Sequence, residues 1–275
     1  MASSAPARLE LLKYEALGND YLVLDLPAPL ETVVPLLPQI CDRHRGAGAD
    51  GLLVFDPATF RLRIFNPDSS EAEKSGNGLR IAACHAVLQH ASRTPFAITT
   101  RDRANEVQVL RRRGSEVVSR LDIGAPRFVP DGWIELDTAA GRVRCRLVDV
   151  GNPHCVVFEQ PVTPERCREL GPLLENHPRF HNRTNVQLVE PLSRDRARAE
   201  IWERGAGYTL ASGTSASAVA AALIRTGQAD RTLNIVMPGG TLQMEQLSNG
   251  SLLQTGPARR VCWISLELED LAALR

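Results

Sequence analysis

Lysine is scarce in this 275-residue chain: Lys13 and Lys74 stand against thirty arginines. An enzyme that holds pyridoxal phosphate as a Schiff base needs a lysine, which leaves that chemistry few places to sit. The six cysteines (Cys41, Cys84, Cys145, Cys155, Cys167 and Cys262) are scattered singly. Without a C-x-x-C pair, zinc and dithiol redox chemistry are poorly supported, and no metal site is expected. Disulfides are not expected in a chain of this length with a cytosolic look, and Cys84 and Cys155, in apolar surroundings, read as core residues. There is no phosphate loop and no G-x-G-x-x-G after a strand. An enzyme here is expected to work without an organic cofactor. No apolar run reaches the ~18 residues of a membrane span, and no charged start precedes an apolar stretch. The opening MASSAPA reads as a loose tail, and the protein is expected to be cytoplasmic with no membrane partner. Net charge is zero and the isoelectric point is near 7.0, so nothing draws the whole chain to nucleic acid. The arginine clusters at 111–113 and 194–198 read as solvated loops and strand ends.

What the chain does have is a repeat. Residues 61–80, RLRIFNPDSSEAEKSGNGLR, lie over residues 198–217, RAEIWERGAGYTLASGTSAS, without a gap. Ile64 falls on Ile201, Phe65 on Trp202, Asn66 on Glu203, Ser75 on Ser212 and Gly76 on Gly213. A weaker echo pairs LGNDY at 17–21 with VGNPH at 150–154. Each copy reads as strand, polar loop, Ser-Gly turn, helix. Apolar content of 43% suffices for two cores. The expected organisation is an N-terminal lobe over 1–125, with 257–275 returning to it, and a C-terminal lobe over 126–256. Many short strands with buried helices point to an α+β fold of two pseudo-symmetric lobes, each a curved, mostly antiparallel sheet around a central helix. Two such halves predict one cleft lined from both sides.

Periodicity predicts a helix over 31–44, its start disturbed by Pro35 and Pro38, and a second after Ser75 with Leu79, Ala82, Ala83, Ala86 and Val87 on a helical period. A third helix is expected over 164–175, N-capped by Thr163 with Pro164 at its first position, and a fourth, alanine-rich, after Ser212. Strands are expected near 96–101, 106–112, 116–123, 133–137, 142–149 and 154–158, with a strand and short helical tail at the end.

The chemistry concentrates at the two Ser-Gly turns. A helix that opens on such a turn presents N–H groups with no intrahelical acceptor, and these donors together with the helix dipole attract a carboxylate or phosphate. A single serine of this kind is more often an ordinary N-cap; two at equivalent places in a repeat shift the balance toward a shared ligand. Asn19, Asn66, Asn152 and Asn185 sit at strand-to-loop junctions, where an amide can grip both an amino group and a carboxylate, although each alone is a common turn residue. His154, Glu203 and Arg204 add an acid–base candidate, a carboxylate and a fixed cation.

The segments KYEALGNDYLVLD, RHRGAGADGLL, FNPDSSEAEKSGNGLR, GNPHCVVF, RTNVQL, WERGAGYTLASGTSAS and MPGGTL occur in that order. From residue 13 to about residue 256 the chain resembles the diaminopimelate epimerase family. The resemblance implies a cofactor-independent isomerase or epimerase of an amino acid. It also implies a small-molecule amino-acid-like substrate, a place in lysine biosynthesis and a homodimer. It implies that Asn19, Asn66, Asn152, Asn185 and Arg204 hold the substrate, and that Gly76 and Asn77, with Gly213 and Thr214, bind its carboxylate. His154 and Glu203 match the auxiliary acid–base residues.

The chain departs from the family at its centre. Both positions that carry the family's proton-transferring cysteines are serine, Ser75 and Ser212, and Tyr208 stands where the family usually has glutamate; Lys74 and Ser215 are also unusual beside the turns. A thiol has a pKa of ~8.5 and is readily lowered at a helix N-terminus, whereas a serine alcohol is a far weaker acid, remote from a useful operating pH. The two-thiol mechanism therefore does not carry over unchanged. Either a neighbour activates a serine, or Glu203, His154 or Tyr208 is the base. Alternatives are a one-base isomerase or dehydratase of the same fold, or a catalytically silent amino-acid-binding homologue.

Overall fold

In the first strand charged residues alternate with buried leucines, Arg8 and Glu10 exposed and Leu9 and Leu11 inside, the period of a sheet with one face on a core. A computed structural model describes residues 8–273 apart from 73–74, 92–93 and 102. The tail at 1–7 and Lys74 lie outside the described residues. The chain divides into two compact units, Met1–Leu121 with Pro257–Arg275, and Asp122–Gly256.

The first unit runs β1 (Arg8–Ala16), β2 (Asn19–Asp25), short helices α1 (Leu30–Val33) and α2 (Leu37–Ile40) joined by a 3₁₀ turn at Val34–Leu36, β3 (Leu52–Asp56), β4 (Arg61–Phe65), α3 (Gly76–Gln89), β5 (Phe96–Thr100), β6 (Arg103–Arg113) and β7 (Glu116–Asp122). The second unit runs β8 (Ile134–Thr138), β9 (Gly141–Asp149), β10 (Pro153–Phe158), α4 (Pro164–Glu175), β11 (Asn185–Ser193), β12 (Arg196–Glu203), β13 (Gly207–Thr209), α5 (Gly213–Arg225), β14 (Thr232–Met237) and β15 (Gly240–Gln246). β16 (Leu252–Glu267) begins in the second unit, pairs there with β15, and continues into the first, where it pairs with β1; α6 (Leu268–Ala272) closes the described chain.

The repeat extends to the pairing pattern. In the first unit β1 is antiparallel to β2, β2 parallel to β3, β3 antiparallel to β4, β4 parallel to β5 and β5 antiparallel to β6. In the second, β9, β10, β11, β12, β14 and β15 follow the same alternation. Each unit is thus a mostly antiparallel sheet with one long helix on its inner face. Leu9, Leu11, Leu22, Leu24, Leu52 and Val54 pack on the other face of the first sheet against α1, α2 and α6. Cys155, Val157, Val186 and Leu188 of the second pack against Cys167, Leu170 and Leu174 of α4. The α+β architecture of two similar units is the one the repeat predicts.

Two local expectations change. The helix predicted over 31–44 is two single turns around a 3₁₀ step and stops at Ile40. Pro35 and Pro38 remove backbone donors, and beyond Cys41 the Asp42 carboxylate accepts the N–H groups of His44 and Arg45 and folds the chain into a turn. Helix α3 shows no single apolar face: every residue from Gly76 to Val87 is buried, Arg80 and His85 included. All the cysteines except the exposed Cys262 are buried; burial pushes the thiols of Cys41, Cys84 and Cys167 up to about 12, so these are packing residues rather than nucleophiles. Helix α4 spans Pro164–Glu175 with Thr163 Oγ1 accepting from Arg166 N, as its sequence predicts.

Candidate active site

Strand alternation decides which residues of the second unit can reach Ser212. In β11, Val186 and Leu188 face α4, so Asn185 and Gln187 face α5. His154 is in register with Asn185 in the parallel β10–β11 pair, and Gln187 lies opposite Ile201 of β12. His154, Asn185, Gln187, Ile201 and Glu203 therefore share the α5 face.

There they form a connected set. Ser212 is the N-cap of α5, only 3% exposed, and its Oγ accepts the N–H of Ser215 at 3.4 Å and lies 3.4 Å from Thr214 Oγ1. Ser215 Oγ accepts from Gln187 Nε2 at 3.0 Å, and the same Nε2 donates to His154 Nδ1 at 3.0 Å. His154 Nε2 in turn donates to Asn152 Oδ1 at 2.9 Å. An amide nitrogen can only donate and an amide oxygen only accept, so these contacts specify a neutral His154 protonated at Nε2. Its two ring nitrogens are spent on orientation, and Glu203, half-buried at the end of β12, is the carboxylate on this face.

The loop after β12 is braced from beneath by Glu175, the last residue of α4, which is 5% exposed. Oε1 accepts Gly205 N and Arg183 Nη1, both at 2.9 Å, and Oε2 accepts Trp202 Nε1 at 2.7 Å. Asn185 Oδ1 accepts the N–H of Arg204 at 3.0 Å while its Nδ2 donates to Pro153 O at 2.9 Å. Asn185 thus ties the Glu203–Arg204 loop to the strand that carries His154. The Arg204 side chain is exposed and donates to Asn182 O at 3.1 Å.

The first unit holds the matching turn. Ser75 caps α3 with Oγ accepting Gly78 N at 2.9 Å. Asn77 Nδ2 donates to Asn19 Oδ1 at 2.9 Å, and Asn77 Oδ1 accepts from Arg80 Nη2 at 2.5 Å. Arg80 is fully buried, and burial lowers its pKa to about 9; its charge adds to the helix dipole at the turn. Asn19 Nδ2 donates to Asp50 Oδ2 at 2.6 Å. Behind it Arg43 bridges Asp20 and Asp50, and Lys13 Nζ contacts Asp20 at 2.8 Å and donates to Gly48 O at 2.6 Å. Burial works to raise the Asp20 pKa, but Arg43 and Lys13 outweigh it and hold that carboxyl at about 2; burial raises Asp50. Asn66, the repeat partner of Glu203, donates to Ser70 Oγ at 2.9 Å and closes its own loop.

Tyr208 is the correction. It lies opposite Trp202 in the β12–β13 pair, on the face that carries α4 and away from Ser212. Its hydroxyl donates to Glu200 Oε2 at 2.5 Å, and Arg168 stacks 3.9 Å above its ring. Burial and the Glu200 hydrogen bond raise its pKa, so it cannot act as a base beside Ser212. Sequence reasoning missed Gln187, Glu175, Arg80 and Asp50. A polar residue between Val186 and Leu188 was a signal for Gln187. Glu175, at a helix end in a polar stretch, carried none.

The fold, with a helix-capping turn in each unit, is one that a solved epimerase shares. A hydroxyproline epimerase from Agrobacterium vitis, solved with bound trans-4-OH-L-proline, superposes with a TM-score of 0.71 at 17% identity over 95% of this chain and 93% of that one. The diaminopimelate epimerase family model matches residues 11–129 and 146–261. Diaminopimelate epimerase 2 of Nostoc sp. is 41% identical over 96% of this chain and 98% of its own, and diaminopimelate epimerase of Synechocystis sp. is 37% identical over 92% and 97%. The chain belongs to the diaminopimelate epimerase family.

Proposed function

We propose that this protein binds an α-amino carboxylate at its helix-opening turns and moves a proton at the carbon next to the carboxylate. It does so from a carboxylate base, Glu203, rather than from a pair of thiols. The observation that carries the reading is the oriented set on the α5 face: Asn152, His154, Gln187 and Ser215 form one hydrogen-bonded line that ends at the cap of Ser212. Such a line fixes donors before substrate arrives, which is where stabilisation of a developing anion is most effective. Ser75 and Ser212 supply hydroxyls and helix N-termini, with Gly76, Asn77, Gly213 and Thr214 as the carboxylate-binding positions; Asn19, Asn66, Asn152, Asn185 and Arg204 complete the grip. His154 holds this line in place through both ring nitrogens, on Gln187 and on Asn152.

The names of its relatives make LL- and meso-diaminopimelate the first substrates to test, with a place in lysine synthesis and no organic cofactor following from that assignment. A one-base site exchanges a proton on one face more readily than it inverts the carbon. The reading therefore favours isomerisation or elimination over full stereo-inversion. Incubation with candidate amino acids in deuterated water, followed by mass spectrometry and chiral chromatography, tests this. Deuterium at the α-carbon supports it; binding by calorimetry with no deuterium at any carbon would leave a ligand-binding homologue without turnover. Epimerisation that appears only in the Ser75→Cys, Ser212→Cys double variant would show that the hydroxyls alone withhold the two-thiol reaction.

A further inference from the structure

Away from the turns, at the far end of α3, three side chains converge whose chemistry the reaction does not use. Asp25 ends β2, His85 lies in the last turns of α3, and His90 is its C-cap. One ligand atom from each lies within 4.8 Å of the others. His85 Nε2 is 2.8 Å from Asp25 Oδ1 and His90 Nε2 is 3.1 Å from Asp25 Oδ2, so both imidazoles aim the same nitrogen at one carboxylate. Five residues apart on a regular helix the two rings would diverge; His90 has left the helical conformation, at φ −113° and ψ 10°, and turns back over the same side.

The rings are held before any ligand arrives. Phe55 meets His85 edge-on at 5.4 Å and stacks on His90 at 5.8 Å, and the two imidazoles are 5.2 Å apart. Tyr14 Oη lies 3.0 Å from His85 Nδ1 in the buried interior. A metal-ligating histidine characteristically uses its second nitrogen in this way. The carboxylate and His90 are partly exposed, at 35% and 24%, whereas His85 is fully buried. An ion therefore has a route in from solvent and a fixed ligand at the bottom.

We propose that Asp25, His85 and His90 form a binding site for a divalent transition-metal ion of the zinc class, with two imidazole nitrogens and one carboxylate as ligands and water in the remaining position. The donor set suits zinc, cobalt or nickel and is a poor match for magnesium or calcium, which take oxygen ligands. An ion with bonds of about 2.0–2.1 Å needs tetrahedral ligand edges of roughly 3.3 Å; the His–Asp contacts of 2.8 and 3.1 Å lie close to that, and ligand atoms as much as 4.8 Å apart would draw together on the ion. With Nε2 on the ion, each ring carries its proton on Nδ1, and in His85 Tyr14 Oη is placed to accept it. The ion would clamp the end of β2 to the end of α3, about 21 Å along the helix from Ser75, and stabilise the first unit.

The test uses the full chain, stripped with chelator and titrated with Co²⁺ and then Zn²⁺. Calorimetry and the visible d–d absorption of Co²⁺ report binding, and the thermal midpoint reports stability. One Co²⁺ per chain with nitrogen–oxygen ligation, displaced by Zn²⁺, with a raised midpoint, is expected. His90→Gln, at a partly exposed position, should weaken binding at least tenfold, Tyr14→Phe should weaken it about 10–100-fold by releasing the second nitrogen of His85, and Cys262→Ser should leave it unchanged. No saturable binding, or binding that survives both His90→Gln and Asp25→Asn, overturns the proposal and leaves the three residues as a hydrogen-bonded triad.

Discussion

Gln187 donates one amide nitrogen to both Ser215 Oγ and His154 Nδ1, each at 3.0 Å, while the residue that takes its place in the first unit, by register against Ile64 and Ile201, is Leu53, packed beside Gly78. The two halves share strands and turns, yet only the second carries a polar line from Asn152 to the Ser212 cap.

Replacing that amide with a side chain of similar volume, Gln187→Met, strands His154 Nδ1 and Ser215 Oγ. Each buried group left without a partner costs about 1–3 kcal/mol. Gln187 Oε1 is itself buried without a hydrogen-bond partner, and its removal offsets part of that cost. A stability loss near 1 kcal/mol in urea unfolding is expected, with a larger fall in the α-proton exchange rate than in ligand affinity. An unchanged exchange rate would mean the line is structural only.

Glu175 holds three donors with one carboxylate, and two of them belong to residues flanking Glu203 and Arg204, namely Trp202 and Gly205. Glu175→Ala leaves those donors unpaired and should cost roughly 2–4 kcal/mol, between the loss of a charged hydrogen bond and the breaking of a buried ion pair. Because the loop is loosened rather than removed, ligand affinity measured by calorimetry should fall at least tenfold while the far-ultraviolet circular dichroism of the folded chain is retained.

Gly171 sits where a Cβ would run into the ring of Trp202. Gly171→Ala is expected to destabilise by about 1–3 kcal/mol, as overpacking of a tight core does, and to displace the indole from Glu175. Differential scanning calorimetry and the tryptophan emission spectrum report the two effects. A side chain this small would be neutral or stabilising in an exposed helix, so an unchanged midpoint would place Trp202 elsewhere.

Asp20, held at about 2 by Arg43 and Lys13 against the opposing effect of burial, titrates well below an unfolded aspartate near 3.9. Its folded value is depressed, so its contribution is present above about pH 4 and is lost as pH falls toward 2. Asp50, raised by burial, acts in the opposite sense and trims the total. Urea midpoints measured from pH 5 to 2 should fall for the wild type, and Asp20→Asn should flatten that limb while lowering stability at neutral pH.

Much of this protein was determined locally. The strand–loop–turn–helix repeat, the caps at Ser75, Thr163 and Ser212, and the strand-end asparagines each rest on residues close in sequence, where backbone hydrogen bonding and side-chain period act directly. The family likeness rests on the order of those same segments. Other features needed the folded chain. Which face a side chain takes depends on strand register, so Tyr208, near Glu203 in sequence, stands across the sheet from it. The brace at Glu175, the buried Arg80 and the Asp25–His85–His90 group join residues from separate elements, and their partners come together only when the sheet and helices pack. Sequence proximity places a residue on an element; the pleat, the register and the layer above it decide what that residue touches.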